Sequence, residues 1–159
     1  EWPALSEILL ARLEGSRRAL RGNLFEAIVR RCLEQLFAKH NLQLTIGEKE
    51  VRIDDETYDV QVYGGDQRVI LIPVKTRETM GGGHALLFTR DIHKSITVAQ
   101  NAGRKCLPVI IAESWGGKLD LLACEHHIYL QANPNQVAII EPLLLAAFEN
   151  VISVFREIE

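Results

Sequence analysis

Apolar side chains recur at the helical period from about Asn23 to Lys39, where Leu24, Phe25, Ile28, Val29, Cys32, Leu33, Leu36 and Phe37 form one wide stripe. That spacing predicts an amphipathic helix, with Asn23 as its N-cap. Ala4 to Leu13 has helical spacing too, with Pro3 in a first-turn position and Gly15-Ser16 as an interruption. The period then drops to two. Leu42, Leu44 and Ile46 alternate with polar residues, as do Val51 and Ile53, and Tyr58 to Tyr63 reads as a strand. Gly64-Gly65-Asp66 is a turn. The run Arg68 to Lys75 is apolar on both faces in its middle, the mark of a buried central strand. Beyond the loop Met80-Gly81-Gly82-Gly83-His84, Asp91 to Ala102 predicts a helix stopped by Gly103. Leu107 to Ala112 and the shorter Leu119 to Cys124 read as strands. Pro142 to Ile158 reads as a last helix with Pro142 near its start.

Strands that alternate with helices across residues 70–112 require a crossover connection, which implies an α/β chain with a mixed sheet covered by helices on both faces. The 159 residues suit one domain over 1–159 with a core of its own. Because the chain begins at Glu1, it is also compatible with being a piece of a longer protein. An apolar fraction of 47% and a charged fraction of 25% place it among folded chains rather than disordered ones. The three cysteines, Cys32, Cys106 and Cys124, are odd in number and form no CxxC pair. A disulfide framework is therefore not expected, and a reducing cytoplasm is. No apolar run approaches the ~20 residues of a membrane helix, and no signal peptide is recognisable, so no membrane partner is expected. The net charge of -3 does not advertise nucleic acid. A positive cleft on an acidic body remains compatible with it, because local charge decides binding.

Two charged residues break the strand pattern. Asp59 lies in one strand and Lys75 ends the next, across a short glycine turn. Adjacent strands are about 5 Å apart, so the two side chains can converge on one face. A carboxylate and an ammonium placed together suit phosphodiester hydrolysis. The carboxylate holds Mg²⁺, a hard cation that takes oxygen ligands, and the lysine stabilises charge or orients water.

The order of these residues resembles the PD-(D/E)xK nuclease superfamily, and type II restriction endonucleases within it. The resemblance rests on Gly22-Asn23-Leu24-Phe25-Glu26 in a helix, Asp59 in a strand, Ile72-Pro73-Val74-Lys75 ending the next strand, and then a helix and a strand. It covers roughly residues 20 to 115. It implies a restriction-endonuclease-like three-layer core, a mixed central β-sheet flanked by helices. It further implies a Mg²⁺-dependent endodeoxyribonuclease of a restriction-modification system, with Mn²⁺ as a substitute. The protein would act on double-stranded DNA as a homodimer in a prokaryotic cytoplasm. Catalysis would fall to Asp59, Lys75, Glu26 and Asp91. The chain departs from the pattern where Pro73 stands in place of the family's second acid. Some restriction enzymes carry that acid on the following helix, so Asp91 is the first candidate for the metal beside Asp59, and Glu78 the second.

Blander readings stand beside these. Asp91 suits helix capping, Glu26 a salt bridge to Arg30, and Arg77 either a phosphate or a carboxylate partner. Gly82 and Gly83 form a loop near DNA with His84, but GxxxxGK[ST] is missing, so no nucleotide cofactor is expected. His126-His127 reads as structural. The arginine and lysine clusters, such as Arg30-Arg31 and Arg104-Lys105, read as solvated faces, some touching the DNA backbone. The last helix suits core packing or a dimer surface. The rival reading is a catalytically inactive domain of the same fold that binds DNA or mediates dimerisation. A third is a small-molecule enzyme built on the glycine loop.

Overall fold

The alternating segments pair as their periods require. The computed structural model describes residues 23–78, 84–115 and 124–159. In it β1 (Thr45–Ile46), β4 (Val60–Tyr63), β5 (Val69–Ile72) and β7 (Lys105–Cys106) lie side by side, as do β6 (Val74–Arg77), β8 (Val109–Ala112) and β9 (Ile128–Gln131). The two groups are one sheet interrupted by two prolines. Pro73 and Pro108 have no amide hydrogen, but pairing continues past them: the Leu107 N–H donates to the Leu71 carbonyl and the Val109 N–H to the Pro73 carbonyl, both at 2.9 Å. The sheet is mixed. β1 and β5 flank β4 antiparallel, whereas β7–β8 runs parallel to β5–β6, and β9 parallel to β8.

Helices cover both faces. α1 (residues 23–40) sends Phe25, Ile28, Val29, Leu33 and Leu36 onto one face, against Val60, Val62, Ile70, Ile72, Val109 and Ile111. α3 (Val137–Asn150) and α4 (Ile152–Arg156) complete this layer with Ile140, Leu144, Phe148 and Phe155. α2 (His84–Asn101) covers the other face, with Ile92 and Ile96 on Ile110 and Trp115, and Ala99 beside Tyr58 and Leu71. Each such large apolar side chain contributes roughly 1.5–3 kcal/mol by leaving water. The result is a three-layer α/β fold with a mixed sheet between helices. Residues 70 to 72 are fully buried with alternate side chains in different clusters, as a central strand requires. The cysteines are unpaired, and burial pushes the thiols of Cys32 and Cys106 up to about 11 and about 12, so they behave as small hydrophobes.

Several elements differ from the sequence expectation. The strand expected over 68–75 is cut at Pro73. The strand expected over 58–63 bends at Asp59, because Glu56–Tyr58 (β3) belongs to a separate ribbon with Val51–Ile53 (β2), closed by Asp54 and Asp55 in left-handed conformation. α2 starts seven residues before Asp91, since half-buried Phe88 extends its apolar row by one turn. It stops where expected: Gly103 has φ +72°, and the Arg104 N–H caps the Ala99 carbonyl at 3.0 Å. The strand expected over 119–124 lies outside the described residues except for Cys124, which is in a bend. β9 at 128–131, too short to show a period, takes the sheet edge. Pro142 is inside α3 rather than near its start, and the helix breaks at Val151 before α4. The helix expected over 4–13 lies outside the described residues.

Candidate active site

Where β4 begins and β6 begins, the register leaves a gap in the ladder. Val60 pairs with Ile72, so Asp59 falls opposite Pro73. The next amide along, that of Val74, donates to Asp59 Oδ2 at 2.7 Å. The carboxylate is thus fixed by the backbone one residue before Lys75. Burial pushes the Asp59 carboxyl above its ordinary value, with the Glu26 carboxylate adding to the rise. The Val74 amide, the Asp59 amide and the Lys75 ammonium oppose it. Asp59, Lys75 and Glu26 therefore share one electrostatic environment, although they come from three elements.

Lys75 occupies the second position of β6, on the face covered by α2, and its side chain is only 17% exposed. A charge that deep requires partners. Its Nζ lies 2.9 Å from Asp91 Oδ2 and 3.9 Å from Glu56 Oε2. The capping role considered for Asp91 does not hold, because Asp91 is the eighth residue of α2 and projects from mid-helix toward Lys75. Glu26 makes the expected salt bridge: Arg30 Nη2 and Nε lie 3.0 and 3.2 Å from Glu26 Oε1. Arg30 Nη1 also bonds the Gly47 carbonyl. Arg30 is thus half-buried and engaged, not a solvated face, while Arg31 is paired with Glu141 at 2.9 Å.

The other candidates are less central. The Arg77 guanidinium lies over the Phe88 ring, 5.9 Å from its centroid. Glu78 follows β6 directly and is partly buried. His84 opens α2 rather than sitting in a loop, and its side chain is not among those described. Gly82 and Gly83 lie outside the described residues. His126 approaches Glu125 at 3.6 Å, and burial pushes His127 below its ordinary value.

Glu56 escaped the sequence reading. It is buried at the start of β3, accepts from Ser95 Oγ at 2.7 Å, and ion-pairs with Lys94 at 3.2 Å. The signal was weak but present. Glu56 shares the two-residue period of Tyr58, so one face takes both; the Asp54-Asp55 turn hides this by resetting the parity set by Val51 and Ile53.

Among the described residues no three His, Cys, Asp or Glu side chains converge as a metal cage. Mg²⁺ keeps several waters and is held by one or two carboxylates plus substrate phosphate. A half-buried carboxylate with a raised proton affinity, as Asp59 is, would be a fitting donor, since a cation relieves the cost of its charge.

No protein-family model matches the chain, and no curated protein matches it. The chain is similar to two solved structures. One is a repair endonuclease from Pyrococcus abyssi, with 15% identity and a TM-score of 0.37 over 66% of this chain and 47% of that one. The other is an EndoMS–dsDNA2 complex, with 14% identity and a TM-score of 0.37 over 66% of this chain and 44% of that one. The chain thus spans less than half the length of either.

Proposed function

We propose that this protein is a Mg²⁺-dependent endonuclease that hydrolyses phosphodiester bonds of double-stranded DNA, a PD-(D/E)xK-type enzyme akin to type II restriction endonucleases. One observation carries the reading: a half-buried carboxylate of raised proton affinity, Asp59, is hydrogen-bonded to the amide next to Lys75, itself a largely buried ammonium on β6. Asp59 is the principal metal donor and Asp91 the second. Held by these carboxylates, Mg²⁺ (or Mn²⁺ in its place) would supply a Lewis acid and an acidified water. Lys75 places its charge where the pentacovalent phosphorus accumulates negative charge. Glu26, held by Arg30, keeps the approach to Asp59 negative and so favours a cation. A homodimer would let two such sites cut the two strands of a two-fold symmetric site.

A specific observation favours a second reading. Pro73 stands where a second acid would flank Asp59, and Lys75 is already bound to Asp91, so the same fold is compatible with a domain that binds DNA or dimerises without cutting. Incubation of a mixed-sequence plasmid with Mg²⁺ or Mn²⁺ separates the two. The wild-type chain is expected to give discrete fragments, and Lys75→Ala to cut at least about 100-fold more slowly, the usual cost of losing a charge-stabilising donor. No cutting by the wild type with either metal, together with retained DNA binding, would favour the second reading.

A further inference from the structure

The geometry points to Glu56 as a positioning residue for the Lys75 ammonium, acting from behind the site through a buried contact. Lys75 has two carboxylate partners of different character. Asp91 is 54% exposed, so water screens it and it is free to turn toward other cations. Glu56 is 6% exposed at its side chain, and its place is set twice over. It pairs with Ile53 in the β2–β3 ribbon, and its Oε2 accepts from Ser95 Oγ, a fully buried donor on α2. Tyr58, two residues on, donates its hydroxyl to the Ser95 carbonyl at 2.6 Å, so ribbon and helix are clamped at the same point.

At 3.9 Å the Glu56–Lys75 contact is an ion pair without a hydrogen bond. It attracts the ammonium without taking up its donors, leaving them for Asp91 or for a phosphate oxygen. Lys94 Nζ, 3.2 Å from Oε1, balances the second oxygen, so the buried charge is compensated on both sides. When Asp91 turns to a metal, Glu56 is the counter-charge that keeps Lys75 in place.

This inference rests on the proposed nuclease site for its meaning but not for its test. Amine acylation of the folded chain, read by peptide mass spectrometry, reports how firmly Lys75 is held, with exposed Lys39 as internal reference. Glu56→Gln is expected to raise labelling of Lys75 about fivefold or more relative to Lys39, and Glu56→Asp, which keeps the charge, to restore part of the protection. On plasmid, Glu56→Gln should lower kcat about 10-fold with KM unchanged, and add little to Lys75→Ala. Should Glu56→Gln lose its cooperative melting transition, Ser95→Ala takes its place, with a labelling rise of about twofold expected. Unchanged Lys75 labelling in a folded variant overturns the inference, whether or not the chain cuts DNA. A chain that cuts nothing but shows the labelling change overturns the nuclease reading alone.

Discussion

At the scale of single residues, the chemistry concentrates where a charge is held against the preference of its surroundings. Asp59 is the clearest case, because burial raises its proton affinity more than the Val74 amide and Lys75 lower it. Its protonated form is therefore favoured by folding. The stability that follows is fully present below the ordinary carboxylate value and is lost as pH rises through the raised one. Asp59→Asn keeps an oxygen for the Val74 amide and has no such loss. It is expected to melt higher than the wild type at neutral pH, with the gap closing as pH falls below about 4. Melting curves from about pH 3 to about pH 8 would show this, and a gap that is constant with pH would refute it. The same substitution should abolish metal-dependent cutting, a trade of stability against activity that is common at functional sites.

At the scale of elements, two features connect local geometry to the position of the site. Gly64 opens the turn between β4 and β5, and a Cβ there would fall 1.8 Å from the Ile158 carbonyl oxygen, which accepts from the Gly65 amide at 2.7 Å. This turn seats the end of the chain against the sheet. Gly64→Ala is expected to cost about 1–3 kcal/mol or more through overpacking, read as a lower midpoint in urea. Pro142 lies within α3, is exposed, and lacks the amide that would bond the carbonyl of residue 138. Pro142→Ala should raise the melting temperature, since proline inside a helix costs up to about 3 kcal/mol relative to alanine. An unchanged or lower melting temperature would mean that the ring's restriction of the unfolded chain offsets the missing bond.

For the whole molecule, the three layers link Glu26 of α1 and Lys75 of β6 to Asp59 before β4, and Asp91 of α2 to Lys75, and metal binding should be visible in global stability. A ligand that binds only the folded state adds about 2.7 kcal/mol at 100 times its Kd. Mg²⁺ is expected to raise the melting temperature of the wild type, and not that of Asp59→Ala. An equal rise in both would place the metal elsewhere. The layer formed by α1, α3 and α4 rests on Phe148 and Phe155, whose rings meet edge to face at 6.1 Å. No helix among the described residues is long and apolar enough to cross a membrane.

Periodicity alone was enough to determine the α1 stripe, the central position of residues 70–72, the Gly103 stop and the α/β order, because apolar spacing records burial directly. Asp59 and Lys75 were legible for a related reason, as charges that interrupt otherwise apolar segments. Tertiary structure decided the rest. The contact of Asp91 with Lys75 depends on how α2 lies across the sheet, which no spacing within the helix reveals. The inward turn of Glu56 depends on a two-residue turn that shifts strand parity. The sheet edge formed by β9 and the breaks at Pro73 and Pro108 depend on hydrogen bonds between segments far apart in the chain. A local pattern shows which side chains are buried, but which of them meet is settled only when the layers pack.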